Sequence, residues 1–138
     1  MAYSTAMSQS VAILLYIHFK LEEGSYDYLA TKKISEELGV PVPTIVKILG
    51  KLNAAGLITT KEGAKGGILL AKPISDITFL EVFNALEQGK PLFKVQYNFN
   101  IEYDGLDSIA EKGLHCLQEA ETAMKLALKK TTLSDLLK

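Results

Sequence analysis

The chain has 138 residues, 48% of them hydrophobic, and 15 lysines against 16 acidic residues leave a formal net charge of −1. That length is enough for one domain with a sizeable core, or for one domain with an appended arm, and the near-neutral total points to no partner by itself. One cysteine, Cys116, excludes an internal disulfide and a cysteine-held metal or iron–sulfur centre within one chain, and two separated histidines, His18 and His115, do not suggest a metal site.

In chain order, residues 6–21 are apolar on almost every face and predict a buried first helix. The run Val11–Phe19 is too short to span a bilayer and has no basic lead-in, so neither anchor nor signal peptide is read and the cytoplasm is expected. His18, on this helix, is read as a core or interface residue rather than a ligand. Residues 22–28 form a turn. Thr31 is the expected N-cap of a short helix that turns Ile34 and Leu38 inward, and Gly39 ends it. Pro41 and Pro43 suit the first turn of a second helix, which runs to about Ala55 with Ile45, Ile48, Leu49 and Leu52 inside, and Gly56 closes it. Two helices joined by a tight, glycine-bearing turn are a helix-turn-helix candidate.

The outer face of that second helix is read as a stripe of Thr44, Lys47 and Lys51, with Gly50 beside it, placed either for close approach to a DNA backbone or for packing on another helix. Leu57–Thr60 and Ile68–Ala71 then predict a hairpin around "TTKEGAKGGILLAKP", residues 59–73. A helix-turn-helix followed at once by a basic hairpin is a winged helix, in which one helix enters the major groove and the wing follows the backbone. Charge agrees with this placement. Residues 28–72 hold seven lysines against three glutamates, while the segments on either side are net acidic, and such a concentration marks an anionic partner. No arginine is present, so the two-pronged grip on guanine is lost and base reading falls to Lys, Asn, Gln or Thr.

Beyond Pro73, Thr78 and Glu81 make a capping box for a helix in 77–89, with Ile77 and Val82 as its hydrophobic staple and Gly89 as its stop. Residues 90–104 are aromatic-rich and aperiodic, and read as a loop. Residues 105–130 predict a helix of about seven turns. Its apolar stripe carries Leu106, Ile109, Ala110, Gly113, Cys116, Leu117, Ala120, Ala123, Met124 and Ala127. So small a domain cannot cover that stripe, and pairing of two chains is the economical solution. The tail "TTLSDLL" reads as a short docked helix. The expected class is mainly α with a two-stranded β wing, divided as 1–76 for the DNA-binding module, 77–104 for a connecting helix and aromatic loop, and 105–138 for the dimerisation helix and tail.

Over essentially its whole length the chain resembles the Rrf2 family of bacterial transcription regulators. The stretches that carry the resemblance are "EELGVPVPTIVKIL", "KLNAAGLITT", "EGAKGGILLAKP" and "ITFLEVFNALE", and the spacing of Gly63, Gly66 and Gly67 is its most specific element. The resemblance implies a homodimer on a palindromic operator of double-stranded DNA, with repression as the usual outcome. It places contacts at the start of the recognition helix, here Pro41, Pro43 and Thr44, with Lys47 one turn on. Lys32 and Lys51, with Lys61, Lys65, Gly66 and Gly67 of the wing, complete the candidate DNA-binding set. If Lys47, Lys51, Lys61 and Lys65 share one surface and meet phosphate in both subunits, log affinity should fall against log salt with a slope of roughly −7.

Three departures from the family pattern stand out. Many members hold an iron–sulfur cluster through three cysteines in the loop before the long helix; residues 90–104 have none, so no cofactor is expected. Glu62 stands where many members carry arginine, and must point away from phosphate or pair with a lysine. Ser8 and Gln9 replace a common Arg–Tyr pair. Leu106, Ile109, Gly113, Cys116, Leu117, Ala120 and Met124 are the expected dimer seam. Cys116 is read as a packed thiol, with oxidation across the seam as the alternative. Phe93, Tyr97, Phe99 and Tyr103 are read as packing the loop, with an effector pocket around Phe93 and Tyr97 as the alternative. No nucleophile–base pair, phosphate-loop lysine motif or carboxylate cluster supports an enzyme. A winged helix used as a protein-interaction module is the competing reading.

Overall fold

The computed structural model describes residues 3–24, 29–61, 67–94 and 101–138. Its elements are α1 (Tyr3–Glu22), α2 (Thr31–Leu38), α3 (Val42–Ala54), β1 (Ile58–Lys61), β2 (Gly67–Leu70), α4 (Phe79–Glu87) and α5 (Leu106–Lys129), with 3-10 turns at Ile74–Asp76 and Ser134–Leu137. The class is the expected one: mostly helical, with one antiparallel hairpin in which Ile58 faces Leu70 and Lys61 faces Gly67.

Glycines and prolines punctuate the first half as the sequence predicts. Gly39 takes the left-handed conformation (φ 66°), and its N–H and that of Val40 both donate to the Ser35 carbonyl, which closes α2. Pro41 then caps α3, accepting from the N–H groups of Thr44 and Ile45. Thr31 is not a cap. It is the first helical residue after Ala30, and no side chain closes that end.

One core joins nearly all elements. Ile13, Leu14 and Ile17 of α1, Ile34 of α2, Ile45 and Leu52 of α3, and Val82 of α4 are fully buried, together with Ile77 and Leu133. Each such side chain contributes about 1.5–3 kcal/mol by leaving water. Leu133 belongs to the chain's last turns, and hydrogen bonds fix it: its N–H donates to the Ile77 carbonyl (2.9 Å), and the Phe79 N–H donates to Thr131 (3.0 Å). The tail therefore docks as predicted.

Three expectations change. α1 is not buried all round, because Phe19 (45% exposed) and Leu21 face solvent. Half of the capping box forms: the Glu81 N–H donates to the Thr78 hydroxyl, but the Glu81 carboxylate turns to Lys72 at 2.8 Å instead of back to Thr78. On α5 the apolar stripe splits. Leu106, Ala110, Gly113, Leu117 and Met124 are half-buried, whereas Ile109, Cys116, Ala120, Ala123 and Ala127 are exposed. Nowhere along its 24 residues does α5 bury a side chain completely.

Candidate nucleic-acid interface

The inward residues of α3 (Ile45, Ile48, Leu49 and Leu52) fix how the helix is rotated, and so decide what it shows to solvent. Val42, Pro43, Val46, Lys47, Gly50 and Asn53 are exposed; Thr44 and Lys51 are half-buried at the flank nearer α4. A groove of about 300 Å³ runs between this outward face and the wing, lined by Thr31 of α2, Val46, Gly50 and Asn53 of α3, and Thr60 and Gly67 of the hairpin. α2, α3 and the wing thus converge on one surface.

Lys32 and Lys33 are exposed in the first turn of α2, Lys47 on α3, and Lys61 at the end of β1. Among the described residues none of the four makes an ion pair. A run of unneutralised ammonium groups around a helix with an open outer face is suited to phosphate.

Lys51 is a correction. Its Nζ donates to the Leu86 carbonyl at 3.2 Å, in the last turn of α4. Carbonyls at a helix C-terminus lack intrahelical donors and carry the negative end of the dipole, so they attract a nearby cation. Lys51 therefore ties α3 to α4 and leaves the outward surface. Without it the expected salt slope becomes roughly −5. Lys65 and Gly66, like Glu62, lie outside the described residues.

Gly67 is also not a surface glycine. It is buried with φ 135°, and a Cβ there would lie 2.7 Å from the Leu29 nitrogen and 3.1 Å from its carbonyl oxygen. The Ile68 N–H donates to that same carbonyl at 3.2 Å, so residue 29 runs against β2 and seats the wing on the body. Gly50 is the opposite case, since a Cβ there would meet nothing within 4 Å. Among the described residues no other helix requires the glycine.

Reading the sequence by charge missed Val42, Val46 and Asn53. The signal was available in the helical spacing: with positions 45, 48, 49 and 52 inside, position 46 must lie near the outer side.

Comparison with known proteins agrees with this geometry. The Rrf2 family model, described as an iron-dependent transcriptional regulator, matches residues 3–138. The chain belongs to the Rrf2 family. It is 32% identical over 129 residues to YwgB of Bacillus subtilis (strain 168), provisionally named an HTH-type transcriptional regulator, covering 89% of this chain and 72% of that one. It is 31% identical over 120 residues to the protein rrf2 of Nitratidesulfovibrio vulgaris, covering 83% and 75%. Among solved structures, CymR (YrzC), the global cysteine regulator of B. subtilis, superposes with a TM-score of 0.63 at 22% identity over 96% of this chain and 92% of that one, a likeness of fold alone. The chain is thus an Rrf2 transcriptional regulator with a DNA-binding fold, and its family and relatives are regulators rather than enzymes.

The iron in the family's description does not fit this member's donor set. The one thiol, Cys116, is exposed on α5. Among the described residues no three His, Cys, Asp or Glu side chains gather where a metal ion could sit. Nor, among the described residues, is any helix long and apolar enough to cross a membrane.

Proposed function

We propose that this Rrf2 regulator acts in the cytoplasm as a homodimer that binds a palindromic operator and represses by occupying it. One observation carries the reading: the outward face of α3, the start of α2 and the wing form one surface whose lysines are unneutralised among the described residues. Pairing through α5 is supported by its exposed Ile109, Cys116, Ala120, Ala123 and Ala127, a row of apolar and small side chains that a second helix would cover. A DNA-shift assay on the protein's own upstream region tests the whole. A shifted band that vanishes as salt rises supports it; no shift at any salt would leave the winged helix as a protein-interaction module. Ile109→Lys should drive the protein towards monomer in sedimentation and weaken operator binding with it.

A small-molecule effector has its own support. A groove of about 540 Å³ lies between the segment after α4 and the flank of α5, with Phe93, Leu114 and Leu117 as apolar walls and Lys90, Lys94 and Lys125 around them. Its volume is in the range of small-molecule sites, and Glu121 joins the lysines in its lining. Of the two candidate sensor residues in this loop, Phe93 lines the groove and Tyr97 lies outside the described residues. Thermal stabilisation by an aromatic carboxylate, lost in Phe93→Ala, is the expected result; a metabolite panel without a shift would exclude it. Cys116 is exposed in the single chain, against the packed reading, and would enter the seam only on pairing. Equal operator affinity of wild type and Cys116→Ser under peroxide would exclude oxidation as the switch.

A further inference from the structure

The outer face of α3 is unusual for a surface meant for DNA. Val46 is 55% exposed and Val42 42% exposed, with Pro43 open beside them. Exposed valines could serve an apolar protein surface. Their surroundings argue otherwise: Lys47 is next in sequence on the same helix, and Lys32 and Lys61 are exposed and adjacent in sequence to Thr31 and Thr60, which line the groove. Cations this close to the helix suit a polyanion. Within the major groove of DNA the one apolar group on a base edge is the thymine C5-methyl.

We propose that α3 reads thymine methyl groups through Val46 and Val42, so that the base pairs beneath the recognition helix are T·A or A·T. The inference rests on the reading of α3 as the helix that enters DNA. Discrimination has two sources. A methyl packed on valine leaves water, whereas the cytosine amino group or the guanine O6 and N7 set against valine would lose water without gaining a partner. With no arginine, the planar fork that best pairs with guanine O6 and N7 is missing, and Lys47 beside Val46 is the residue left to meet a guanine instead. Asn53, exposed on the same groove, carries the amide that can pair with adenine N6 and N7. Gly50, one turn after Val46 and bare of side chain, lets the helix settle close enough for a short valine to reach a base.

The experiment uses the full chain. Duplexes are selected from a randomised pool, and the selected operator is remade with deoxyuridine for thymine at single positions, which deletes only the methyl. Wild type should enrich thymine under the start of α3 and lose about fourfold in affinity for each contacted methyl removed, about fifteenfold when both half-sites change. Val46→Ala, at an exposed position that leaves folding intact, should bind alike the thymine operator and the one with uridine at the position Val46 contacts. Equal binding of the two operators by wild type, or selection of G·C pairs at these positions, overturns the inference while the regulator reading stands. Failure to retain any duplex overturns both.

Discussion

Gly67→Ala is the sharpest test of how the wing is held. In the folded chain the new Cβ would lie 2.7 Å from the Leu29 nitrogen, closer than real Cβ atoms approach, and the obstacle is backbone, which cannot swing aside. The φ of 135° must also be kept by a residue with a side chain, at a cost of about 1–3 kcal/mol. If β2 retreats to relieve the contact, the bond from the Ile68 N–H to the Leu29 carbonyl weakens, worth a further 0.5–1.5 kcal/mol or so. The total is about 2–4 kcal/mol, a large share of the ~5–15 kcal/mol that holds a typical domain together. Urea unfolding followed by far-UV circular dichroism reads this directly. With an m-value of about 2 kcal/mol/M, the midpoint should fall by about 1–2 M. A variant within ~0.5 kcal/mol of wild type that nevertheless loses DNA would refute the reasoning. It would show that Gly67 faces DNA and not Leu29.

Gly50→Ala should move stability the other way, by about 1 kcal/mol, because alanine is the better helix former and its Cβ meets nothing within 4 Å; a gain in thermal midpoint with a loss of operator affinity is the expected pair. Lys47→Ala should make the salt slope of a paired protein shallower by about 2, while Lys51→Met should leave the slope alone and cost about 1 kcal/mol of stability through the lost bond to Leu86. Asp135 accepts from the Thr132 N–H (2.9 Å), Lys138 (2.9 Å) and the Thr132 hydroxyl, and these hold its carboxyl down from 3.8 to about 2. A carboxylate depressed by folding stabilises above its unfolded value and loses that contribution as pH falls through the folded one. Asp135→Asn should therefore be less stable than wild type at neutral pH, and the difference should shrink between about pH 4 and pH 2 in acid titrations.

Most of the first half of this fold was legible because its signals are local. Gly39, Pro41 and Gly56 act through their own φ angles and missing donors, and the Thr78 cap spans three residues. What escaped depends on distance in sequence. The acceptor of Lys51 lies 35 residues away, so a periodic stripe of Thr44, Lys47 and Lys51 looked like one surface when the fold draws one member off it. Gly67 carried a recognisable spacing, but only the approach of Leu29 shows that the glycine serves packing. On α5 the stripe itself was plain; which of its residues would be half-buried could not be read from periodicity, because all of them obey the same repeat. Val42 and Val46 were passed over for a different reason. They carry no charge, so a reading led by charge passes them by, although the helical spacing already puts position 46 near the outer side.

α4 links these observations. It packs against α1 and α3 on one side and α5 on the other, and Lys51 stitches its final turn to α3. In a dimer paired through α5, the separation of the two recognition helices would then depend on how rigidly α4 transmits the position of one to the other. Half-sites on DNA recur at about 10–10.5 base pairs, and an added pair rotates one site by roughly a tenth of a turn, so such a dimer should tolerate few spacings. Releasing the stitch should loosen that requirement. A series of operators with the centre lengthened or shortened by single base pairs should show a steep optimum for wild type and a flatter one for Lys51→Met, with similar affinity for an isolated half-site. An equally steep optimum for both proteins would mean that hydrophobic packing alone orients α3, and that the Lys51–Leu86 contact only caps α4.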